Sequence, residues 1–126
     1  MSAQAGLTAL VVDDEPLVRN VATIMLEEAR LTVLSAENGR EAIDLFEQHG
    51  DTVGLIVLDM SMPGLSGTET LRELRRRGCQ APVVLSSGMD ERDAMPISSD
   101  PRVLFIQKPY SMAALHATVD RALALR

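Results

Sequence analysis

Val53-Gly-Leu-Ile-Val-Leu-Asp-Met-Ser-Met-Pro-Gly64 is an apolar run that ends on a single acid, Asp59, and then meets a turn signal at Pro63-Gly64. A run this short, bounded by turn residues, suits a strand buried on both faces rather than a helix, which needs about ten residues or more. Strands buried on both faces belong to parallel sheets covered by helices on each side. In an open sheet of that kind, every strand C-terminus emerges on one edge. Asp59 is therefore expected on an exit loop at that edge.

The same pattern recurs on either side. Leu10-Val-Val12 ends in Asp13-Asp14-Glu15, the run from Pro82 ends in Ser86-Ser87-Gly88, and the run from Val103 to Ile106 is followed by Lys108-Pro109. Acid, acid, hydroxyl and amine thus converge on one crevice. Between the strands, apolar residues repeat at helical spacing. Val18, Val21, Ala22, Met25, Leu26 and Ala29 mark the buried face of a first helix, with Arg19 on its other side, Pro16 in its first turn and Asp14 or Glu15 as cap. Ala42, Leu45, Phe46 and His49 mark a second helix, closed by Gly50. A third runs from about Thr68 to Arg77, where Gly78 stops it. The last begins at Ser111, a cap, and turns Leu115, Val119, Ala122 and Leu123 inward.

Strands at about 8–12, 53–58, 82–85 and 103–106 are nearly all apolar, as burial on both faces demands. The strand at 32–35 tolerates polarity and suits an edge. The spacing predicts an α/β fold with five parallel strands in the order 2-1-3-4-5. Its winding reverses between the first and third strands, which carry Asp13, Asp14 and Asp59. Residues 89–102 contain two prolines and no sustained apolar face, so the fourth helix is expected to be short or irregular.

With 126 residues and 46% apolar content, the chain fits one domain, expected over 7–126 with 1–6 as a leader or tag. The lone Cys79 reads as an ordinary loop thiol. No apolar run is long enough to span a membrane and no signal pattern opens the chain, so a cytoplasmic protein is expected. A net charge of −6 and only three aromatic residues, Phe46, Phe105 and Tyr110, argue against direct nucleic-acid binding. The basic run Arg75-Arg-Arg77 reads as a solvated helix end that complements the helix dipole.

Three crowded carboxylates repel one another, and a divalent cation relieves the conflict. Oxygen ligands without His or Cys suit Mg²⁺. An aspartate beside Mg²⁺ can attack phosphorus, and the transferred group then needs cations and donors, which Lys108 and Ser87 supply. Each residue has a plainer reading by itself: Asp13-Asp14-Glu15 as a helix cap, Ser87 as the start of a turn, Lys108 as a surface lysine and Phe105 as core. Lys108, however, is the chain's only lysine among 12 basic residues.

Val12-Asp-Asp-Glu-Pro16, Leu58-Asp-Met-Ser-Met-Pro-Gly64, Leu85-Ser-Ser-Gly88 and Gln107-Lys-Pro109 resemble the receiver domain of two-component response regulators, over about residues 7 to 125. The resemblance implies a flavodoxin-like receiver fold. It implies that Asp59 accepts phosphate from the phosphohistidine of a histidine kinase or phosphotransfer domain, and that the chain catalyses only its own phosphorylation and dephosphorylation. Asp14, Asp59 and the Ser61 main-chain carbonyl would ligate Mg²⁺, with Asp13 acting through water. Ser87, preferred over Ser86 because it lies five residues after Pro82 and directly before Gly88, would be the switch hydroxyl. Lys108 would contact the phosphoryl group, and Phe105 would be the switch aromatic. Lys108-Pro109 resembles a position that is often cis in the family. The surface formed by the fourth helix, fifth strand and fifth helix would change on phosphorylation.

Receivers appended to hybrid sensor kinases look most similar, so both an excised domain and a single-domain regulator are expected sources. A degenerate receiver acting without phosphate is one alternative. A phosphatase of the dehalogenase type is another, but there a second acid normally stands where this chain has Ser61. A flavin or nucleotide binder would need glycines where Asp13-Asp14-Glu15-Pro16 stands.

Overall fold

The computed structural model describes residues 7–88 and 100–126. Five parallel strands form one sheet: β1 (Thr8–Val12), β2 (Thr32–Ala36), β3 (Val53–Asp59), β4 (Val83–Ser87) and β5 (Val103–Gln107). Their order is β2-β1-β3-β4-β5, as the sequence predicts. Among the described residues, four helices cover it: α1 (Pro16–Glu28), α2 (Gly39–His49), α3 (Gly67–Arg76) and α4 (Met112–Leu123). A 3₁₀ turn, Gly50–Thr52, leads into β3. The expectation of a short or irregular helix within 89–102 falls outside the described residues, apart from the turn at 100–102.

Alternation along the strands sorts the core into two layers. Leu10, Ile56, Leu58 and Leu85 pack with Phe46 of α2 and Leu74 of α3. Val11, Leu55, Val57 and Val84 pack with Leu26 of α1 and Leu115 of α4. Every residue of β1, β3 and β4 is buried, whereas β2 is half exposed, as an edge strand should be. β5 departs from the apolar-run expectation: Leu104 and Phe105 are only partly buried, because this strand forms the other edge.

Several helix faces differ from the sequence reading. In α1, Ala22, Met25 and Leu26 are buried, but Val21 is exposed and Arg19 is drawn in toward β1. Glu15 occupies the cap position without a side-chain cap bond; its N–H instead donates to Asp13 Oδ1 at 2.9 Å. In α2 Ala42 and Phe46 are buried as expected, joined by Gly39 and Ile43, whereas Leu45 is half-buried and His49 exposed. Asn38 caps this helix through the Glu41 N–H. A reciprocal Ser66–Glu69 capping box starts α3, and Gly78, at φ 94°, follows its end. Ser111 caps α4 as expected; Leu115, Val119 and Ala122 are buried and Leu123 half-buried.

The basic run is not simply solvated. Arg76 and Arg77 pair with Glu73, and Arg77 also with Glu47. Arg75, however, folds inward. Its Nη1 donates to the carbonyls of Ala81 (2.7 Å) and Cys79 (3.1 Å), and its Nε to Asp100 Oδ2 (2.7 Å). Half-buried Asp100 then fixes the start of β5 by accepting from the Arg102 N–H. Cys79 is buried in the core, and desolvation pushes its thiol up, which fits an inert role.

Candidate functional site

β1 and β3 lie side by side, with Val12 opposite Leu58, so the acids that follow emerge together. Asp13 and Asp59 are both 4% exposed, while Asp14 faces solvent. Carboxylate oxygens of Asp13, Asp14 and Asp59 all lie within 4.8 Å of one another, so this group could hold a metal ion. The set is all hard oxygen, with one open member to leave room for waters, which fits Mg²⁺ better than Zn²⁺.

Lys108 reaches into the group from beyond β5. Its Nζ lies 2.9 Å from Asp13 Oδ2, 3.3 Å from Asp59 Oδ1 and 3.4 Å from Glu15 Oε1. The Lys108-Pro109 peptide is cis, and the Lys108 N–H donates to the Ser87 carbonyl at 2.7 Å. Burial opposes the lysine charge, yet the hydrogen bond to Asp13 and the charges of Asp59 and Asp13 hold it above the ordinary lysine range. Burial, followed by the Asp13 charge, pushes the Asp59 carboxyl up to about 6, against the pull of Lys108 and of the Ser61 N–H, which donates to Asp59 Oδ1 at 3.3 Å. One ammonium does not balance the acids around it.

Gly67 fixes the loop behind Asp59. Its N–H donates to Met60 O at 2.8 Å, and a Cβ there would come within 2.3 Å of the Asp59 carbonyl oxygen. Only glycine lets α3 start this close to the end of β3. Ser61, on the same loop, is exposed.

Ser86 and Ser87 are both buried at the end of β4. Ser86 pairs with Asp59 in the ladder, its carbonyl accepting from Met60 N–H, and shares a face with Val84; Ser87 is one residue nearer the crevice, on the face of Leu85. Phe105 is half-buried against the core layer of α2 and α3.

Three neighbours escaped the sequence reading. Glu15 shares Lys108, and Tyr110 is half-buried nearby, its hydroxyl pushed up to about 12 by burial and then by the Asp13 charge. Arg19 Nη1 donates to the Asp13 carbonyl at 2.7 Å. Its spacing of six from Asp13, which puts it at the end of the first turn of the following helix, was the available signal.

Fold and site together define a doubly wound parallel α/β domain with an acidic, lysine-bridged pocket at its topological switch point. The family model described as the response regulator receiver domain matches residues 9–120, and the chain belongs to that family, the receiver domains of two-component regulatory systems. It is 33% identical over 117 residues to the sensor kinase CckA of Brucella abortus, covering 92% of this chain and 12% of the kinase. It is 34% identical over 123 residues to the C4-dicarboxylate transport transcriptional regulatory protein DctD of Pseudomonas aeruginosa, covering 97% of this chain and 26% of DctD. The chain thus spans half or less of the length of these relatives. Among solved structures, the receiver domain of the hybrid histidine kinase CckA superposes with a TM-score of 0.78 at 31% identity, covering 92% of this chain and 98% of that one. A receiver domain protein from Clostridium thermocellum gives a TM-score of 0.85 at 24% identity, covering 94% and 95%, a likeness of fold. Among the described residues no helix is long and apolar enough to cross a membrane.

Proposed function

We propose that this receiver is a phosphoacceptor in a two-component phosphorelay, taking a phosphoryl group on Asp59 from the phosphohistidine of a histidine kinase or phosphotransfer domain. The observation that carries this reading is Lys108 Nζ lying between the carboxylates of Asp13 and Asp59, at 2.9 and 3.3 Å. A cation is thus already beside the oxygen that would attack phosphorus.

Asp14, Asp59 and the Ser61 carbonyl would hold Mg²⁺, with Asp13 acting through water. When bound, Mg²⁺ offsets the repulsion among the acids and the charge on the phosphoryl oxygens. An Asp59 oxygen forms the new bond to phosphorus while the P–N bond breaks, its electron pair staying on the imidazole, which takes up a proton. Lys108 neutralises a phosphoryl oxygen and the Ser87 hydroxyl donates to another. Drawing Ser87 toward the phosphate leaves room for Phe105 to turn inward, a population shift between two states. The domain would catalyse only its own phosphorylation and dephosphorylation. It would occupy residues 7–126 in the cytoplasm, as a receiver excised from a hybrid kinase or as a single-domain regulator; the likeness to CckA supports the first.

Intact mass after incubation with acetyl phosphate, with and without Mg²⁺, tests the reading. The wild type is expected to gain one hydroxylamine-sensitive phosphoryl group only with Mg²⁺, and Asp59→Asn none. A folded wild type that gains nothing would instead indicate a module that signals without phosphate.

A further inference from the structure

We infer that Arg19 is a positioning residue for the candidate metal site, holding the peptide that joins Asp13 to Asp14 in the orientation cation binding needs. This rests on the reading of that site given above. β1 ends at Val12, and Asp13 is fixed on one side by its N–H, which donates to Ala36 O at 3.1 Å. Its carbonyl accepts from Arg19 Nη1 at 2.7 Å.

Arg19 is a strut held at both ends. Arg19's main chain is set in the first turn of α1 by Glu15 O at 3.0 Å, and its carbonyl accepts from the Thr23 hydroxyl at 2.8 Å. Its side chain is only 14% exposed, and Nη2 lies 3.9 Å from Glu37 Oε1 on the β2–α2 connection. The strut therefore ties α1, the Asp13 peptide and the neighbouring connection together. Because a peptide is a rigid plane, turning the one between Asp13 and Asp14 changes ψ of Asp13 and φ of Asp14 together, and with them the directions in which the two carboxylates leave the backbone. Groups that orient metal ligands from behind typically contribute 10–100-fold to metal affinity.

Charge and position pull in opposite directions here, which makes the inference decidable. If Arg19 acted only as a positive charge near the acids, removing it would favour a cation and tighten binding. If it acts by holding the peptide, removing it loosens the site and weakens binding.

The test is calorimetric titration of Mg²⁺ alone into the wild type, Arg19→Gln and Arg19→Lys, with thermal melts on the same samples. Arg19→Gln is expected to bind about tenfold more weakly or worse. Arg19→Lys, whose ammonium can still donate to the Asp13 carbonyl, should recover most of the affinity. At saturating Mg²⁺ the rate of phosphorylation by acetyl phosphate should return toward wild type in both. Equal or tighter Mg²⁺ binding by Arg19→Gln overturns the inference, as does an equal loss in Arg19→Lys. If Arg19→Gln fails to fold, Arg19→Met, which keeps the aliphatic stem, takes its place; failure of both makes Arg19 a stability residue and overturns the inference. A wild type that binds no Mg²⁺ removes the reading of the site as well, whereas normal wild-type binding with unaffected variants removes this inference alone.

Discussion

Asp59 is an acid that the folded state disfavours in its charged form. Its carboxyl titrates near 6 when folded, against an ordinary value of 3.8, because burial and Asp13 outweigh Lys108. Below about pH 4 both states are protonated and nothing is lost. Between about 4 and 6 the folded state binds the extra proton, so stability falls as pH rises, and above 6 the deficit is complete. Two pKa units correspond to at most about 3 kcal/mol. Asp59→Asn should therefore stabilise the metal-free protein by about 1–3 kcal/mol at pH 7.5 and by nearly nothing at pH 4, read by urea denaturation in chelator. An asparagine variant less stable than wild type at pH 7.5 would contradict this. Mg²⁺ should raise the melting temperature of the wild type more than that of the variant. Lys108→Ala should leave Mg²⁺ binding intact but uncouple phosphorylation from Phe105, so unchanged activation shifts in NMR spectra would refute that role. Ser87→Ala should slow phosphoryl uptake more than Ser86→Ala; the reverse ranking would move the switch hydroxyl to the residue paired with Asp59. Asp13, Asp59 and Lys108 were legible because a strand end fixes where a residue goes. Arg19, Glu15 and Tyr110 were not, since their places depend on how α1 and the end of β5 meet.

Elements were legible where a strand is buried on both faces or a cap residue starts a helix, as with β3 and α4. They were less so where one helical stripe had to be chosen among neighbours. Val21 and His49 belong to plausible stripes, but in α1 the buried face narrows to Ala22, Met25 and Leu26, and in α2 Ile43 is buried where His49 was expected. Arg75 shows the same limit: three consecutive arginines look alike, and only the fold turns one of them toward Ala81 and Asp100. Removing that pair by Asp100→Asn should cost on the order of 1–3 kcal/mol, measured by denaturation at pH 7. Despite the burial that would raise it, the Asp100 carboxyl is held below its ordinary 3.8 by the Arg102 N–H and by Arg75. Its contribution is therefore present above about pH 4 and lost as pH falls through the lowered value, opposite in sign to Asp59. A destabilisation by Asp100→Asn that stayed the same at pH 3 would count against the ion pair. At the start of α3, Gly67→Ala would set a Cβ against the Asp59 carbonyl oxygen and Met60 Cα, backbone atoms that cannot step aside singly. The expected outcome is a loss of about 1–3 kcal/mol with weaker Mg²⁺ binding, since the loop carrying Ser61 must shift. An alanine variant with wild-type Mg²⁺ affinity would show that the loop adapts.

At the scale of the whole molecule, the order β2-β1-β3-β4-β5 followed from the contrast between a polar second strand and the apolar runs of the first, third and fourth, and it is this order that gathers the acids at one edge. The surface around that edge could not be read the same way: Val21 looked like core, and Leu17 and Ile24 carried no signal of their own. Leu17 is 76% exposed, Val21 38% and Ile24 52%, spaced at i, i+4 and i+7 along one side of the helix. A groove of about 430 Å³ lined by Leu17, Val21, Pro109 and Tyr110 runs from this stripe to Lys108 and Glu15, at the mouth of the candidate site. A protein that delivers a phosphoryl group to Asp59 has to cover that mouth, and an apolar stripe beside it offers area to bury. Acetyl phosphate needs only the crevice. Ile24→Glu lies farthest along the helix from the acids, so it should leave the fold, Mg²⁺ binding and phosphorylation by acetyl phosphate unchanged. Transfer from a phosphorylated histidine-kinase or phosphotransfer partner should fall tenfold or more, about the effect of losing one interface anchor. A parallel loss with both donors would assign Ile24 to the site or the core instead, and unchanged transfer from the protein donor would place docking on another face.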